Sequence, residues 1–313
     1  MMVSVVALLG SATIFLRLAG PPLKPQDRSE PTRETNRPPV TTRFVAPRNR
    51  ALLIYTDSYQ RPLSTLPNTK VDAVSLQKML VSAYGYEAQL LANPSMAQVK
   101  DALRSMSYLD TNRVLDQDQL IVYIAGHGMY VPGDGGYLLF KNAKPEEGTD
   151  TLPVDVFLNR IAATAYQRIF VIIDTCDAGL FTESEHRGIK VPPGEREPYD
   201  DDTAYEVFKT HFRHRCAYFL APGDGDIPDG DPKSREGSPF CRALVNVLGE
   251  GKTLRVFDVS ELSSMIRRRG IVGVRKGPLN MRKNEEKGEF LFVYKPLLDK
   301  WKGKTAGLAP HDR

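Results

Sequence analysis

The chain has 313 residues, 41% of them hydrophobic and 26% charged, which is the composition of an ordinary globular protein long enough for a substantial core. The formal net charge is +4, from 42 basic and 38 acidic residues, and no nucleic-acid-binding motif accompanies the basic clusters, so nucleic acid is not expected as a partner. Three cysteines are too few for a disulfide framework, and free thiols favour a reducing compartment.

The first 20 residues form a hydrophobic segment. Met1 to Leu16 carry no charge, and a helix of that length spans about 24 Å, short of the ~30 Å hydrocarbon core of a membrane. With Arg17 reaching the interface and the segment extended to Gly20, the sequence predicts a marginal membrane anchor. Because basic residues follow, the positive-inside rule places the main domain in the cytoplasm. A signal peptide, a helix docked on a partner and a start codon assigned too early are the alternatives.

Residues 21–49 have the composition of a solvated linker. Seven prolines lie between Pro21 and Pro47 among charged and small polar residues, which leaves too little apolar surface to fold alone. The folded domain is predicted to cover residues 50–296, followed by a C-terminal tail at 297–313.

From Ala51 onwards, short apolar runs of strand length alternate with segments of helical periodicity. The predicted strands are 51–56, 86–91, 118–126, 168–174, 216–221 and 289–294. The predicted helices are 71–83, 95–106, 154–165, 238–248 and 258–268, and a hairpin-like stretch covers 129–140. Continuous apolar strands joined by crossover helices are typical of a parallel sheet covered on both faces. The sequence therefore predicts an α/β fold with one main domain.

Three predicted strands end at polar or reactive side chains. Asp57 follows the first strand, His127 and Gly128 follow the run LIVYIAG, and Asp174 and Cys176 end the run RIFVIIDTC. Ligands of an open α/β sheet bind outside the carboxyl ends of its strands. We therefore expect these five residues to meet at one edge of the sheet if their strands are neighbours.

These residue types suit nucleophilic catalysis by a thiol. A nearby imidazole favours the thiolate of a cysteine or accepts its proton, so Cys176 is the candidate nucleophile and His127 the candidate acid/base. The backbone N–H groups of Gly128 and Cys176 are the candidate oxyanion hole. Taken alone, such a cysteine is usually a packed thiol and such a histidine a structural residue, but the two strand-end positions together favour catalysis.

The motifs GHG at 126–128 and DTCDAG at 174–179, with 49 residues between His127 and Cys176, resemble the Cys–His dyad of the caspase-like cysteine proteases. The chain is most similar to metacaspases and prokaryotic caspase homologues of clan CD, family C14, over about residues 50 to 294. The resemblance implies a caspase-like sandwich with about six mostly parallel strands and helices on both faces. It also implies peptide-bond hydrolysis through a thioester on Cys176, with His127 protonating the leaving amine. No third member of a triad is apparent.

Charge around the nucleophile predicts the substrate. Caspases that cut after Asp carry Gln two residues before the nucleophile, whereas this chain has Asp174 there, as metacaspases do, and Asp57 after its first strand. A half-buried carboxylate favours a cation, which an arginine or lysine side chain of the substrate supplies. We therefore expect Asp57 and Asp174 to form the S1 pocket and to select a basic P1 residue. The alternative is that Asp174 orients the nucleophile loop.

Other segments lead to finer expectations. The polar stretch 180–215 is expected to be a loop in which a basic-specific protease cuts itself, as the resemblance implies, and the alternative is simply an exposed loop. Asp224 and Asp226, in the run GDGDIPDGD after a strand, are expected in a substrate-binding loop. No cofactor and no metal ligand set is predicted, although acidic clusters at 146–150 and 200–202 leave Ca²⁺ possible as an activator, with a solvated surface as the alternative.

Asp177 departs from the family pattern, because many relatives carry His-Ser after the cysteine. A carboxylate beside the thiol opposes thiolate formation. The second function considered is therefore an inactive caspase homologue that acts as a scaffold or regulated partner. The protein substrate and the oligomeric state do not follow from the sequence.

Overall fold

The computed structural model describes residues 47–108, 118–176, 196–223, 229–231, 233, 236–271, 273–279 and 284–301, and these belong to one compact unit. The strands are β1 (Asn49–Tyr55), β2 (Glu87–Ala92), β3 (Gln119–Gly126), β4 (Gly128–Val131), β5 (Gly135–Lys144), β6 (Thr149–Pro153), β7 (Arg168–Thr175), β8 (Cys216–Ala221), β9 (Val256–Asp258), β10 (Arg275–Pro278) and β11 (Leu291–Val293). The helices are α1 (Pro67–Tyr84), α2 (Met96–Tyr108), α3 (Val154–Ala162), α4 (Asp201–Phe212), α5 (Pro239–Leu254), α6 (Val259–Arg268) and α7 (Lys295–Trp301).

Six strands form the central sheet in the order β10-β8-β7-β3-β1-β2. All neighbouring pairs are parallel except β10 with β8, which is antiparallel. The predicted α/β class with a mostly parallel sheet of about six strands is confirmed. The chain passes from β1 to β2 on one side and returns to β3 on the other, so the strand order reverses at β1 and opens a crevice beside its carboxyl end.

Successive side chains of each strand point to opposite faces, and both faces are buried. Leu53 of β1 packs in one core cluster with α1, α5 and α6, whereas its neighbour Leu52 packs in another with α2 and α3. Because neither face meets water, the central strands contain continuous apolar runs. This is why β1, β3, β7 and β8 were predictable from the sequence.

The predicted closing strand at 289–294 exists in part, but it does not join the central sheet. β11 pairs with β9 in a separate antiparallel ribbon, and the sixth place in the sheet belongs to β10. Since β10 has the sequence RKGP, it carries no apolar run that could mark it as a strand. The hairpin-like stretch forms β4 and β5, and β6 completes a second, three-stranded sheet.

The expectation of a loop throughout 180–215 is wrong for its second half. Helix α4 occupies Asp201–Phe212, and its buried side chains pack against β11 and α7 in a third core cluster. Most residues of this helix are polar, and the four buried residues among them are spaced so that they share one helical face. Those residues are Ala204, Tyr205, Phe208 and Phe212. Residues 177–195 lie outside the described residues.

Packed structure continues past the predicted domain end at 296. Helix α7 buries Leu297, Leu298 and Trp301, and the indole of Trp301 contacts the rings of Tyr205 and Phe208. The described residues contain no helix that is both long and apolar enough to span a membrane. The hydrophobic segment 1–20 and nearly all of the linker lie outside them.

Candidate active site

Strands β3 and β7 lie side by side in register, and the two candidate dyad residues follow their shared end. Gly126 is opposite Thr175, so His127 and Cys176 each follow a paired position on adjacent strands. A Cβ atom placed on Gly128 would lie 2.7 Å from the carbonyl oxygen of Cys176, a distance that real side chains do not adopt. Only glycine therefore allows the chain after His127 to run this close to the nucleophile. His127, Gly128, Asp174 and Cys176 therefore lie at the same end of this strand pair.

The imidazole of His127 has a backbone partner. Its Nε2 lies 3.0 Å from the carbonyl oxygen of Ser64, and a carbonyl can only accept a hydrogen bond. A neutral ring with its proton on Nε2 donates to this carbonyl, and in that tautomer the lone pair of Nδ1 can take a proton. The sequence showed no third member of a triad, because a backbone carbonyl that contacts the histidine has no sequence signature.

Tyr59 contacts the same histidine from the loop after β1. Its hydroxyl oxygen accepts a hydrogen bond from the backbone N–H of His127 at 2.8 Å, and the two rings lie 4.7 Å apart between centroids. Burial raises the pKa of Tyr59, so the phenol stays protonated and donates to the carbonyl of Leu139 at 3.4 Å. His127 is thus fixed through both its ring and its backbone.

A small cavity opens to solvent beside Cys176. It contains three carboxylates, which come from Asp72 on α1, Asp174 at the end of β7 and Asp229 after β8. The remaining lining residues are Leu66, Thr69, Gly126, Thr175, Cys176 and Ser238. Among the described residues, no lysine or arginine pairs with any of the three carboxylates.

Hydrogen bonds hold these carboxylates at the cavity. Asp174 accepts from the hydroxyl of Tyr123 at 2.8 Å, and the hydroxyl of Ser238 lies 3.5 Å from the same oxygen. Asp72 accepts from the backbone N–H of Ser238 at 2.9 Å, and Asp229 accepts from that of Asn68 at 3.3 Å. Because Ser238 caps helix α5, the start of that helix fixes two of the three acids.

The three acids are electrostatically destabilised as they stand. Burial raises the pKa of Asp72 above the ordinary carboxylate range, and the neighbouring charge of Asp174 raises it further. Burial also raises the pKa of Asp174 and of Asp229, and the charge of Asp229 adds to the shift of Asp174. A cation in the cavity would relieve both the burial and the mutual repulsion.

Asp57 is not brought to this cavity. Its carboxylate accepts a hydrogen bond from the side-chain amide of Asn93 at 2.7 Å, and it does not line the cavity. The prediction failed because the chain turns away after β1, so that α1 presents Asp72 at the place expected for Asp57. Asp224 and Asp226 lie outside the described residues.

Two acids of the cavity were missed by sequence reasoning. Asp72 stands in a helix whose periodicity marked only its apolar residues, and its burial depends on the distant residue Ser238. Asp229 belongs to the run GDGDIPDGD, which the sequence did place at a substrate loop through Asp224 and Asp226. The sequence therefore indicated the right loop, but it selected Asp224 and Asp226 rather than Asp229.

The acidic clusters considered for Ca²⁺ have other contacts. Asp150 accepts from the backbone N–H groups of Met96 and Asn142 at 2.6 and 3.0 Å. Asp200 caps α4, and Asp201 pairs with Arg255. Within the described ranges, no group of three or more His, Cys, Asp or Glu side chains is placed to hold a metal ion.

Comparison with known proteins gives one family. The family model described as the caspase domain, Peptidase_C14, matches residues 48–270, which is more than two thirds of the chain and includes both dyad residues. Among curated proteins no sequence matches significantly. A solved structure, caspase-1 from Spodoptera frugiperda, is similar over 73% of this chain and 79% of its own, with 15% sequence identity and a TM-score of 0.48.

Proposed function

The chain belongs to the caspase-domain family, peptidase family C14, and from this premise we propose that it is a cysteine endopeptidase that cuts after arginine or lysine. The observation that carries the proposal is the cavity beside Cys176, where three carboxylates meet without a cation among the described residues. The acids expected to hold the basic P1 side chain are Asp72, Asp174 and Asp229.

Arginine suits this cavity because its guanidinium offers five N–H donors and remains charged at every working pH. Lysine offers a compact ammonium that satisfies the same charges with fewer directed bonds. A P1 aspartate would add a further negative charge to a buried acidic site and is expected to be rejected.

The proposed reaction is acyl transfer to a thiol. The sulfur of Cys176 attacks the carbonyl carbon of the scissile bond while Nδ1 of His127 takes the thiol proton. The resulting imidazolium gives that proton to the departing amine, so a thioester forms and the C–N bond breaks. Water then hydrolyses the thioester and restores both groups. The N–H groups of Gly128 and Cys176 are proposed to bind the developing oxyanion.

Self-processing is proposed for the chain before residue 196. Of the basic residues in 180–215, Arg196 donates to Glu261 and to the carbonyl of Val256, and Lys209 lies within α4. A backbone fixed in this way is not presented as an extended substrate. Arg213 and Arg215 lie between α4 and β8, where Arg215 pairs with Glu285. Arg187 and Lys190, which lie outside the described residues, are the remaining basic positions of this stretch.

The location of the protein and its regulation are proposed from the sequence alone. The segment 1–20 is proposed to tether the catalytic domain to the cytoplasmic face of a membrane, and Ca²⁺ is the candidate activator. Carbonate washing of membranes tests the first proposal, since a spanning anchor resists extraction. Activity measured in calcium and in chelator tests the second.

Steady-state hydrolysis of fluorogenic peptides that differ only at P1 tests the function. Purified protein is expected to turn over Arg- and Lys-ended peptides, Cys176→Ala is expected to abolish turnover, and Asp72→Asn is expected to lower kcat/KM by roughly 10²-fold. Asp101→Asn is the matched control, because Asp101 pairs with Arg104 on the exposed surface of α2. Turnover of Asp-ended peptides instead would contradict the proposed specificity.

A further inference from the structure

The loop of residues 57–66, which joins β1 to α1, contacts both halves of the candidate site. Tyr59 and Ser64 bind the backbone and the ring of His127. Leu66, at the other end of the loop, lines the acidic cavity, and its N–H donates to the carbonyl of Asp57 at 3.0 Å. A displacement of this loop would therefore disturb the acid/base before any residue of the dyad itself changed.

Asn93 fastens this loop to the end of β2. Its side-chain oxygen accepts from the N–H groups of Asp57 and Ser58 at 3.0 and 3.1 Å, and its amide donates to the carboxylate of Asp57 at 2.7 Å. Its own N–H donates to the carbonyl of Tyr55 at 2.8 Å. One side chain thus makes three hydrogen bonds to two consecutive loop residues, which is a specific arrangement rather than a surface contact.

Tyr59 carries the constraint from the fastened end of the loop to His127. Its hydroxyl bridges the N–H of His127 and the carbonyl of Leu139, while Leu139 donates back to the carbonyl of His127 at 3.1 Å. A Cβ atom on Gly126 would lie 2.5 Å from the same hydroxyl, so a glycine before His127 is needed to admit it. The tyrosine is therefore built into the strand end that presents the histidine.

We propose that Asn93 and Tyr59 are positioning residues for His127, with Asn93 fastening the loop 57–66 and Tyr59 holding the histidine to it. The expected effect on catalysis rests on the proposed function, whereas the positioning of His127 by these contacts does not. It also gives Asp57 a role, because the carboxylate predicted to bind substrate is the partner of Asn93.

The backbone at Asn93 permits a sharp test. Its φ of 45° lies in the left-handed region, where Asn and Asp are the side chains best tolerated after Gly. In Asn93→Asp the new carboxylate still accepts from the two loop N–H groups, but it meets the carboxylate of Asp57 where an amide had donated. In Asp57→Asn/Asn93→Asp the amide introduced at position 57 donates to the carboxylate introduced at position 93, so the hydrogen bond between the two side chains is restored. The single variant should release the loop and the double variant should refasten it.

The measurements are kcat and KM on an Arg-ended peptide, and the rate of Cys176 alkylation by iodoacetamide from pH 5 to 9. Alkylation reports this thiol, since Cys216 and Cys241 are buried. We expect Asn93→Asp and Tyr59→Phe to lower kcat at least tenfold and to lose the same part of the alkylation profile that His127→Ala loses, because a misplaced imidazole no longer stabilises the thiolate. The double variant should recover both quantities.

Gln89→Ala is the matched control, since Gln89 is an exposed polar residue of the same strand, away from the loop. The proposal is overturned if the double variant is as impaired as Asn93→Asp, or if both single variants match Gln89→Ala. If the wild type cleaves no Arg or Lys peptide but its alkylation profile depends on His127 and shifts in Asn93→Asp, the peptidase assignment fails and the positioning role stands. If the wild type cleaves such peptides and the variants match it, the peptidase assignment stands and the positioning role fails.

Discussion

At the scale of single residues, Asp72 carries the strongest electrostatic conflict in the candidate site. Its side chain is only 2% exposed, it is close enough to Asp174 for that charge to raise its pKa, and Asp229 raises it further. A buried carboxylate with acidic neighbours reduces folding stability. A cationic ligand, such as the proposed basic P1 side chain, would relieve this conflict.

The substitution Asp72→Asn should stabilise the protein above neutral pH. A carboxyl whose folded pKa lies above its unfolded value loses stability as the pH rises from about 4 through the folded pKa, because the unfolded chain ionises first. The amide introduced by the substitution cannot ionise, and its oxygen can still accept from the N–H of Ser238. We expect the variant to gain roughly 1–3 kcal/mol in free energy of unfolding at pH 8 and almost nothing at pH 4.

Urea unfolding at several pH values measures this gain, with Asp101→Asn as the control for an exposed carboxylate. The same variant should lose turnover of Arg-ended peptides, so stability and activity move in opposite directions. A variant less stable than the wild type at pH 8 would show that Asp72 is ionised and satisfied in the free protein.

The sequence could place His127 and Cys176 at the strand ends because their positions depend on local signals, each being a reactive residue directly after a buried strand. Asp72 and Asn93 could not be placed in this way, because their roles depend on contacts with Ser238 and Asp57, which are 166 and 36 residues away along the chain. No periodicity records such contacts.

At the scale of elements, the sequence predicted the strands that are buried on both faces. The central strands contain continuous apolar runs and were found, whereas β10 takes its place through pairing with β8 and has no apolar run of its own. Helix α4 was taken for loop because charged residues begin it and cover its outer face. Its start is a genuine local signal, since the side chain of Asp200 accepts from the N–H of Thr203 at 2.7 Å.

Arg196 and α4 limit where the proposed self-processing could occur. The guanidinium of Arg196 binds Glu261 and stacks on the ring of Tyr199, with 3.7 Å between its central carbon and the ring centroid. We expect intact-mass analysis of the wild type to show no cut after Arg196 or Lys209. Cys176→Ala should stay intact. A cut after Lys209 would require α4 to unfold and would contradict the fixed geometry.

At the scale of the whole molecule, the packed domain includes helix α7 and so extends past residue 296 to Trp301. Trp301 is fully buried against Tyr205 and Phe208, so α7 and α4 enclose a third core beside the β9–β11 ribbon. The sequence placed the domain end at 296 because the apolar pattern fades there. A single large side chain can hold a short helix to a core without such a pattern.

Trp301→Ala should lower the free energy of unfolding by about 3–5 kcal/mol, since it empties a large buried site that the surrounding rings cannot fill. Lys300→Ala, one residue away and exposed, should cost less than ~1 kcal/mol through its ion pair with Asp201. Chemical denaturation compares the two. Equal effects would mean that residues beyond 296 are not part of the folded domain.

The most direct test of the account is covalent labelling with two peptidyl chloromethyl ketones that differ only in carrying Arg or Asp at P1. Peptide mapping by mass spectrometry locates the adduct. We expect the Arg probe to alkylate Cys176 rapidly, excess Arg-ended peptide to slow the labelling, and the Asp probe to react far more slowly. Equal labelling by both probes, or no adduct on Cys176, would contradict this expectation.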